Sequence, residues 1–328
     1  MGANAILGIS MAARVALADA QKTPLYEVLN QEFAQRLQDG EQQPMTLPVP
    51  MFNILNGGAH VDTLEKADVQ EFMIMPIGAQ SFEQALNWGQ RVYAQLEQVL
   101  HENGVGPKDA YDRGNEKGFK PALKNNEQGL QFIMEAIERS GLNAGTDIVI
   151  ALDVAASEFY DEDQRAYLFE GNLIKDTELM RIYENWLTQY PIYSIEDGFA
   201  ENDWPAWEEF QSRIKNTHQL VGDDIFVTNP KIYAKGITNK AANAILVKLN
   251  QIGTVEETLD VIDMAKGNGH GVVISHRSGE TDDTFIADLS VGVGAGQIKA
   301  GAPYGWDGHT GNERMAKYNR LVEIEKEL

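Results

Sequence analysis

The chain of 328 residues carries 49 acidic against 27 basic side chains, a formal net charge of −22, and it contains no cysteine. A hydrophobic content of 43% and a charged content of 23% are those of a water-soluble globular protein. The negative charge argues against a nucleic-acid or anionic-membrane surface, and the lack of cysteine excludes disulfides and thiolate metal sites. No apolar stretch is expected to span a membrane and residues 2–20 lack the basic start of a signal peptide, so we expect a cytoplasmic protein.

The first part of the chain is predicted to be helical. Apolar residues recur on one face over residues 3–20, which predicts a helix that ends before Pro24, and a second helix is predicted over 25–37. Polar, turn-prone residues follow at 39–44. We therefore expect a helical linker segment over residues 1–43 and a main domain over residues 44–328.

The main domain begins with elements of mixed type. Its patterning predicts two extended segments, at residues 47–56 and 69–75, and then an amphipathic helix at 81–101. A long loop of the functional kind is predicted at 104–123, and a further helix at 127–139. Ser81 and Gln84 form a capping box that opens the first of these helices.

From residue 148 the chain becomes nearly periodic, because each short apolar strand is followed by a polar residue and then a helix. The predicted strands lie at residues 148–152, 192–195, 220–222, 244–248, 272–275 and 297–298. Alternating strands and helices specify a parallel sheet, and enough units close that sheet into a barrel. The expected fold class is α/β, a TIM-like (β/α)8 barrel preceded by linker helices.

Every predicted strand of this series ends on a titratable residue. These residues are Asp153, Glu196, Asp223, Lys248, His276 and Lys299. Functional groups of such barrels gather where the strands end, at the carboxyl face. A single acidic residue in this place is more often a helix N-cap or a solvated loop charge. Because all six occur in phase, we interpret them as one site.

The chemistry of that site follows from the residue types. Oxygen ligands from Asp153, Glu196 and Asp223, without cysteine or a histidine cluster, favour a hard cation, with Mg²⁺ preferred over Ca²⁺ or Mn²⁺. Lys248 ends an apolar run, so it is either a snorkelling lysine, the commoner case, or a base whose pKa burial lowers. A metal, a base and neighbouring anion-binding groups together describe proton abstraction next to a carboxylate.

Seven short stretches carry a resemblance to a known family. They read GANAILGIS (2–10), QEFMI (70–74), SEFY (157–160), SIED (194–197), VGDD (221–224), SHRSGET (275–281) and GQIK (296–299). On these stretches, which follow the family's order from end to end, the chain resembles the enolases, or phosphopyruvate hydratases. The resemblance implies a barrel with an early antiparallel strand, a homodimer or larger assembly, and Mg²⁺-dependent reversible dehydration of 2-phosphoglycerate to phosphoenolpyruvate in glycolysis.

The resemblance also implies roles for individual residues. Asp153, Glu196 and Asp223 would hold Mg²⁺, and Lys248 would remove the C2 proton. Glu116 would assist departure of hydroxide.

Further matching positions surround these groups. The resemblance places Glu71 and His60 near Glu116, assigns Arg277 and Ser278 to the phosphate, and brings Gln70, His276 and Lys299 to the substrate. For His60, a packed structural histidine is an equal alternative.

Three departures from the family pattern bear on function. The family's N-terminal capping domain is expected to be absent. The loop 114–118 reads GNEKG where the family has GDEGG, and Lys117 is expected to pair with Glu116 and lower its pKa. Extra residues lie between His60 and Glu71, and an insert occupies 304–311. A paralogue acting on another phospho- or phosphonocarboxylate, and a catalytically impaired scaffold, therefore remain alternatives.

Overall fold

The computed structural model describes residues 2–37, 43–61, 66–108, 112–214, 217–305 and 312–328. Most of the boundary predicted at 39–44 and most of the insert predicted at 304–311 lie outside these residues. The same holds for part of the segment between His60 and Glu71.

The strands follow the sequence pattern, with one addition. In chain order they are β1 (Val49–Asn56), β2 (Glu71–Met75), β3 (Val149–Asp153), β4 (Tyr160–Asp161), β5 (Ala166–Phe169), β6 (Asn172–Ile174), β7 (Ile192–Glu196), β8 (Gln219–Gly222), β9 (Ala244–Val247), β10 (Gly271–Ser275) and β11 (Gly296–Lys299). The strands β4, β5 and β6 form a small antiparallel sheet of their own. This sheet fills the interval between β3 and β7, and its strands are too short to give a periodic signal.

The helices cover the outside of the sheet. They are α1 (Ala3–Gln21), α2 (Leu25–Ala34), α3 (Phe82–Glu102), α4 (Asn126–Arg139), α5 (Asp176–Gln189), α6 (Trp204–Ile214), α7 (Pro230–Asn239), α8 (Leu249–Ile252), α9 (Val255–Gly267), α10 (Phe285–Gly292) and α11 (Asn312–Glu327). Half of the predicted capping box at the start of α3 is present, since Ser81 Oγ accepts from the backbone nitrogen of Gln84 at 3.0 Å, whereas Gln84 Oε1 accepts from the backbone nitrogen of Gln80 at 2.6 Å.

Eight strands close into a barrel in the order β1-β11-β10-β9-β8-β7-β3-β2. The strand β2 runs antiparallel to both of its neighbours, whereas the other neighbouring pairs are parallel. The predicted α/β barrel is thus confirmed. The reversed β2 places its first residue, Glu71, opposite the last residue of β3, Asp153.

Apolar side chains alternate between two cores. Val273 belongs to a cluster inside the barrel, while its neighbours Val272 and Ile274 belong to the larger cluster between strands and helices. The interior cluster consists of Met51, Met73, Met75, Val149, Ala151, Val221, Ala244, Leu246 and Val273. The barrel is therefore a packed core that supports its rim rather than a channel.

The helix α1 departs from one expectation. An 18-residue window has a mean hydropathy of 1.3 and is only 11% buried, so by length and composition alone α1 passes as a candidate membrane span. This corrects the expectation that no stretch reaches that length. Arg14 of α1 forms ion pairs with Glu32 of α2 at 2.5 Å and with Glu256 of α9 at 3.0 Å. These pairs fasten α1 to neighbouring helices.

Candidate active site

The titratable strand ends meet at one rim of the barrel. Asp153 ends β3, Glu196 ends β7, and the two residues are register partners in neighbouring parallel strands. Glu71 joins them from the start of the reversed strand β2. Asp223 follows the end of β8, the next strand. Four carboxylates from four adjacent strands therefore lie along one arc of the rim.

Lys299 provides the positive charge at the centre of this arc. Its Nζ lies 2.8 Å from Asp153 Oδ2, 2.9 Å from Glu196 Oε1 and 3.0 Å from Glu71 Oε2, and only 3% of the residue is exposed. Burial alone would lower the pKa of Lys299, but these three carboxylates raise it well above its usual value. Lys299, predicted to contact substrate, contacts protein carboxylates in this structure.

Lys248 pairs with the fourth carboxylate. It caps α8, directly after β9, and its Nζ donates a hydrogen bond to Asp223 Oδ2. Burial lowers the pKa of Lys248, but the negative charge of Asp223 outweighs burial, so the net pKa is raised. This corrects the prediction of a lowered pKa, which considered the apolar strand without the neighbouring carboxylate.

The rim holds more acidic groups than cations. Asp197 accepts hydrogen bonds from the backbone nitrogens of Asp223 and Asp224, each at 2.9 Å. Burial and neighbouring carboxylates raise the pKa of Asp197 well above its usual value and that of Asp224 to about 6. Burial and like charge also raise the pKa values of Glu196 and Glu71. Such an excess of carboxylates is typical of a site for a hard cation.

Glu116 lies in a second group of polar residues at the rim. Its carboxylate accepts hydrogen bonds from Ser278 Oγ at 3.0 Å, from Asn53 Nδ2 at 3.2 Å and from His276 Nε2 at 3.1 Å. Burial pushes the pKa of Glu116 upward, but the field and hydrogen bond of His276, with the charge of Lys299, hold it well below its usual value. Glu116 is therefore ionised in this structure.

His60 and Glu71 complete the group around Glu116. One ligand-type atom from each of the three residues lies within 4.8 Å of the others, and His60 Nδ1 is 3.7 Å from Glu71 Oε1. The fold therefore brings together the three side chains that were predicted for the leaving-group side of the pocket.

Lys117 does not pair with Glu116 in the manner predicted. Its Nζ lies 3.8 Å from Glu313 Oε1 on α11. Its backbone has φ +69°, in the left-handed region, and its carbonyl accepts a hydrogen bond from the Tyr93 hydroxyl at 2.5 Å. The low pKa of Glu116 thus has a different cause from the one expected.

The residues predicted to bind phosphate have separate partners. The exposed Arg277 donates from Nη1 to Asn250 Oδ1 at 3.0 Å, whereas Ser278 donates to Glu116. Gln70 is half buried, and its backbone nitrogen donates to the Asp153 carbonyl at 3.0 Å. Arg277 and Ser278 are adjacent in the chain, but their side chains form hydrogen bonds with different residues.

Sequence reasoning missed Arg314, which contacts two of the segments around Glu116, residues 276–278 and Asn115. Its guanidinium donates to His276 Nδ1 at 2.5 Å and to the carbonyls of Arg277, Ser278 and Asn115 at 2.8, 2.7 and 3.1 Å. A usable signal existed, because Arg314 stands one turn before the buried Tyr318 on the apolar face of α11. A cation on such a face is seldom buried without partners.

A sizeable cavity lies away from this rim. It has a volume of about 890 Å³ and is lined at the amino-terminal end of the barrel by Gln219 of β8, Gly271 of β10 and two histidines, His218 and His270. Conserved chemistry of (β/α)8 barrels is found at the opposite face. Cavity size alone therefore does not identify the reactive site.

Comparison with known proteins adds independent evidence. The family described as "Enolase, C-terminal TIM barrel domain" matches residues 44–328. The chain is also similar to a protein named "Enolase" from Acidothermus cellulolyticus, with 48% identity over 328 residues, which is all of this chain and 71% of that protein.

Proposed function

The chain belongs to the enolase family, and on this basis we propose that it catalyses the Mg²⁺-dependent, reversible dehydration of 2-phosphoglycerate to phosphoenolpyruvate. One observation carries the proposal. Lys248 shares the rim with the strand-end carboxylates of Asp153, Glu196 and Asp223, while Glu116, held by His276, faces the same rim from another group. A base, an anionic arc and a second carboxyl group are what removal of a proton and then a hydroxide requires.

By residue type the proposed donor set suits Mg²⁺, while an acidic trio whose oxygens lie within 4.8 Å of one another consists of Asp197, Asp223 and Asp224. Asp153, Glu196 and Asp223 would hold the ion, since they offer carboxylate oxygens, the ligands that this cation prefers. The raised pKa of Glu196 supports this assignment, because a buried carboxyl group with too few counter-charges gains from a cation. When bound, Mg²⁺ supplies positive charge next to the substrate carboxylate, where negative charge develops.

Lys248 is proposed to accept the C2 proton on its Nζ. The ammonium must first give up its hydrogen bond to Asp223, because that carboxylate stabilises the protonated form. Once separated from Asp223, the amine is favoured by burial, since the side chain is only 16% exposed. The ion pair seen here thus represents the resting form of the proposed base.

Glu116 is proposed to give a proton to the departing hydroxide, with Glu71 and His60 beside it. The ionised form seen here must therefore gain a proton when substrate arrives. The negative charges of a phosphorylated carboxylate would favour this, because a like charge raises the pKa of a carboxyl group.

The remaining groups are proposed to orient the substrate. Arg277 and Ser278 would bind its phosphate, since a guanidinium matches phosphate oxygens in a planar fork. Lys299 would bind its carboxylate, and Gln70 and His276 would contact it from the rim. Arg277, Ser278, His276 and Lys299 would each give up a protein partner described above.

The ultraviolet absorbance of phosphoenolpyruvate tests this function directly. With 2-phosphoglycerate and saturating Mg²⁺, the unaltered chain should form product. Lys248→Ala should lose on the order of 10²- to 10⁴-fold in kcat, the usual contribution of a general base. Lys124→Ala, at an exposed position, is the control. Absence of product from the unaltered chain would refute the activity, and normal activity of Lys248→Ala would refute the mechanism.

A second function is favoured by the ionised state of Glu116. A paralogue acting on another phospho- or phosphonocarboxylate could remove a proton without expelling hydroxide, and such a reaction needs no protonated Glu116. NMR observation of C2 proton exchange in D₂O would show this, using a phosphonocarboxylate that lacks a leaving hydroxyl. Exchange without formation of phosphoenolpyruvate from 2-phosphoglycerate would favour the paralogue.

The family relationship also supports an assembly and a location. We propose a cytoplasmic homo-oligomer, a dimer or larger. Sedimentation velocity of the purified chain tests the assembly, and a single monomeric species at micromolar concentration would contradict it.

A further inference from the structure

Two buried cations project from one face of α11. Arg314 has a side chain that is 1% exposed, and Lys317, one turn later, is also 1% exposed. Lys317 pairs with Glu280 Oε2 at 2.7 Å and donates to the Thr281 carbonyl. Both cations therefore hold the segment that follows β10, but only Arg314 reaches the histidine in it.

Arg314 joins two separate segments of the rim. Through Nη1 it contacts the carbonyl of Arg277, and through Nη2 it contacts the carbonyls of Ser278 and Asn115. Asn115 directly precedes Glu116, and the Glu116 carbonyl accepts from the backbone nitrogen of Ala302 at 2.9 Å. The guanidinium thus fixes the spacing between the loop that carries Glu116 and the loop that carries His276.

The contact with His276 determines where the imidazole proton lies. A guanidinium has donors but no acceptor, so Arg314 Nη1 can only donate to Nδ1, which must then carry a lone pair. The single proton of the neutral ring is therefore on Nε2, the atom 3.1 Å from Glu116 Oε2. His276 consequently donates to Glu116, as an ionised carboxylate requires.

We propose that Arg314 is a positioning residue for the dehydration. It holds His276 as a neutral imidazole protonated on Nε2, and it keeps His276 and Ser278 directed at Glu116. It acts through His276 and the loop carbonyls, without touching substrate. The expected effect on kcat rests on the proposed function. The position of the proton on the His276 ring does not depend on that function.

NMR of the unaltered protein tests the first part without any substitution. Long-range ¹H–¹⁵N correlation of protein labelled in histidine reports the tautomer of each ring, and His276→Gln identifies the signal of His276 among the six histidines. We expect the pattern of a neutral ring protonated on Nε2 at neutral pH. A ring protonated on Nδ1, or on both nitrogens, would overturn the proposal.

Matched substitutions separate positioning from simple anchoring. Arg314→Met and Lys317→Met each remove a buried cation from the same face of α11. Only Arg314→Met should allow the Nδ1-protonated ring, and it should lower kcat by about 100-fold, as misplacement of catalytic groups does, with less effect on KM. Lys317→Met should leave the His276 signal unchanged. Equal kcat and an equal histidine spectrum in both variants would overturn the proposal.

Arg314→Lys covers the case in which Arg314→Met does not fold. An ammonium retains the charge but cannot reach Nδ1 and three carbonyls in one plane, so part of the Nδ1-protonated ring and a lower kcat are expected. A spectrum and kcat identical to the unaltered protein would count against the fork geometry. If the unaltered chain forms no phosphoenolpyruvate, the proposed function fails, whereas the tautomer results still decide the role of Arg314 at His276.

Discussion

Lys299 and Asp153 meet across the mouth of the barrel. The ammonium nitrogen lies 2.8 Å from Oδ2, although their strands, β11 and β3, are separated by β1 and β2 in the barrel. The pair therefore couples two parts of the rim that no backbone hydrogen bond connects.

Replacement of Lys299 by methionine should destabilise the protein strongly. Glu71, Asp153 and Glu196 would lose their shared cation, and breaking a buried ion pair from one side costs about 3–5 kcal/mol of the free energy of unfolding. Urea unfolding in the absence of divalent cations measures the loss. Lys124→Met, at an exposed position, should change the value by less than about 0.5 kcal/mol. Equal midpoints for both variants would show that the cluster does not need its ammonium.

Mg²⁺ should stabilise the folded protein through the strand-end carboxylates. A ligand at 100 times its Kd adds about 2.7 kcal/mol when it binds only the folded state. Glu196→Gln should reduce the rise in Tm, and EDTA should abolish it in the unaltered protein. The control Glu138→Gln, exposed on α4, should keep the full rise. The proposed ligand set would be wrong if Glu196→Gln responded to Mg²⁺ as the unaltered protein does.

Replacement of Lys117 by glycine should stabilise the protein. A left-handed backbone costs a side chain about 1–2 kcal/mol, whereas a partly exposed ion pair contributes about 0–1 kcal/mol. The net gain should therefore be about 1 kcal/mol in urea unfolding. Lys117→Ala retains the Cβ and the strain but loses the pair with Glu313, so it should gain nothing. A loss of stability in Lys117→Gly would show that the ion pair outweighs the backbone strain.

Stability should fall as the pH is lowered from about 6.5 to about 4. Burial lowers the pKa of His276 from its ordinary 6.5 to about 4, and Arg314 adds to the decrease while Glu116 opposes it. Between these values the unfolded chain binds the proton and the folded chain does not, so protons favour unfolding. The contribution is about 3 kcal/mol, present above pH 6.5 and lost by pH 4.

Unfolding measured at pH 7 and at pH 4.5 checks this pH dependence. His276→Gln lacks the titrating ring, so its stability should fall less over the same interval. The low pKa of Glu116 adds a further loss below its ordinary value in the unaltered protein, and because His276 is the main cause of that low pKa, His276→Gln should lose much of this pH dependence as well. Parallel curves for the unaltered protein and His276→Gln would contradict the assignment.

The sequence was sufficient to predict the barrel, because the spacing of apolar residues that marks each strand or helix can be read from neighbouring positions in the chain. Short apolar strands such as β10 and the capping box of α3 are local signals, and a parallel sheet follows from their alternation. The sheet formed by β4, β5 and β6 was not predicted, since strands of two to four residues carry too few side chains to show a period.

The sequence predicted which residues form the candidate site but not which residues they contact. The positions of Asp153, Glu196 and Asp223 at strand ends could be inferred from the repeated order of apolar strand, polar residue and helix. The pKa of Lys248 could not, because its sign depends on Asp223, which is 25 residues away in the chain and adjacent in space. Arg314 was missed for the same reason, since its four partners lie in two segments, Asn115 and residues 276–278, that are distant from it in the chain.

The reversed direction of β2 has a consequence for how this protein can diversify. Because one strand runs against the others, the loop between β1 and β2 and the loop before α4 both open onto the reactive rim. Glu116 and His60 therefore belong to a block of sequence, residues 57–123, that is separate from the block carrying Asp153, Glu196 and Asp223. Substitutions within the first block can therefore change the surroundings of Glu116 while the strand-end carboxylates of the second block keep their positions in the barrel.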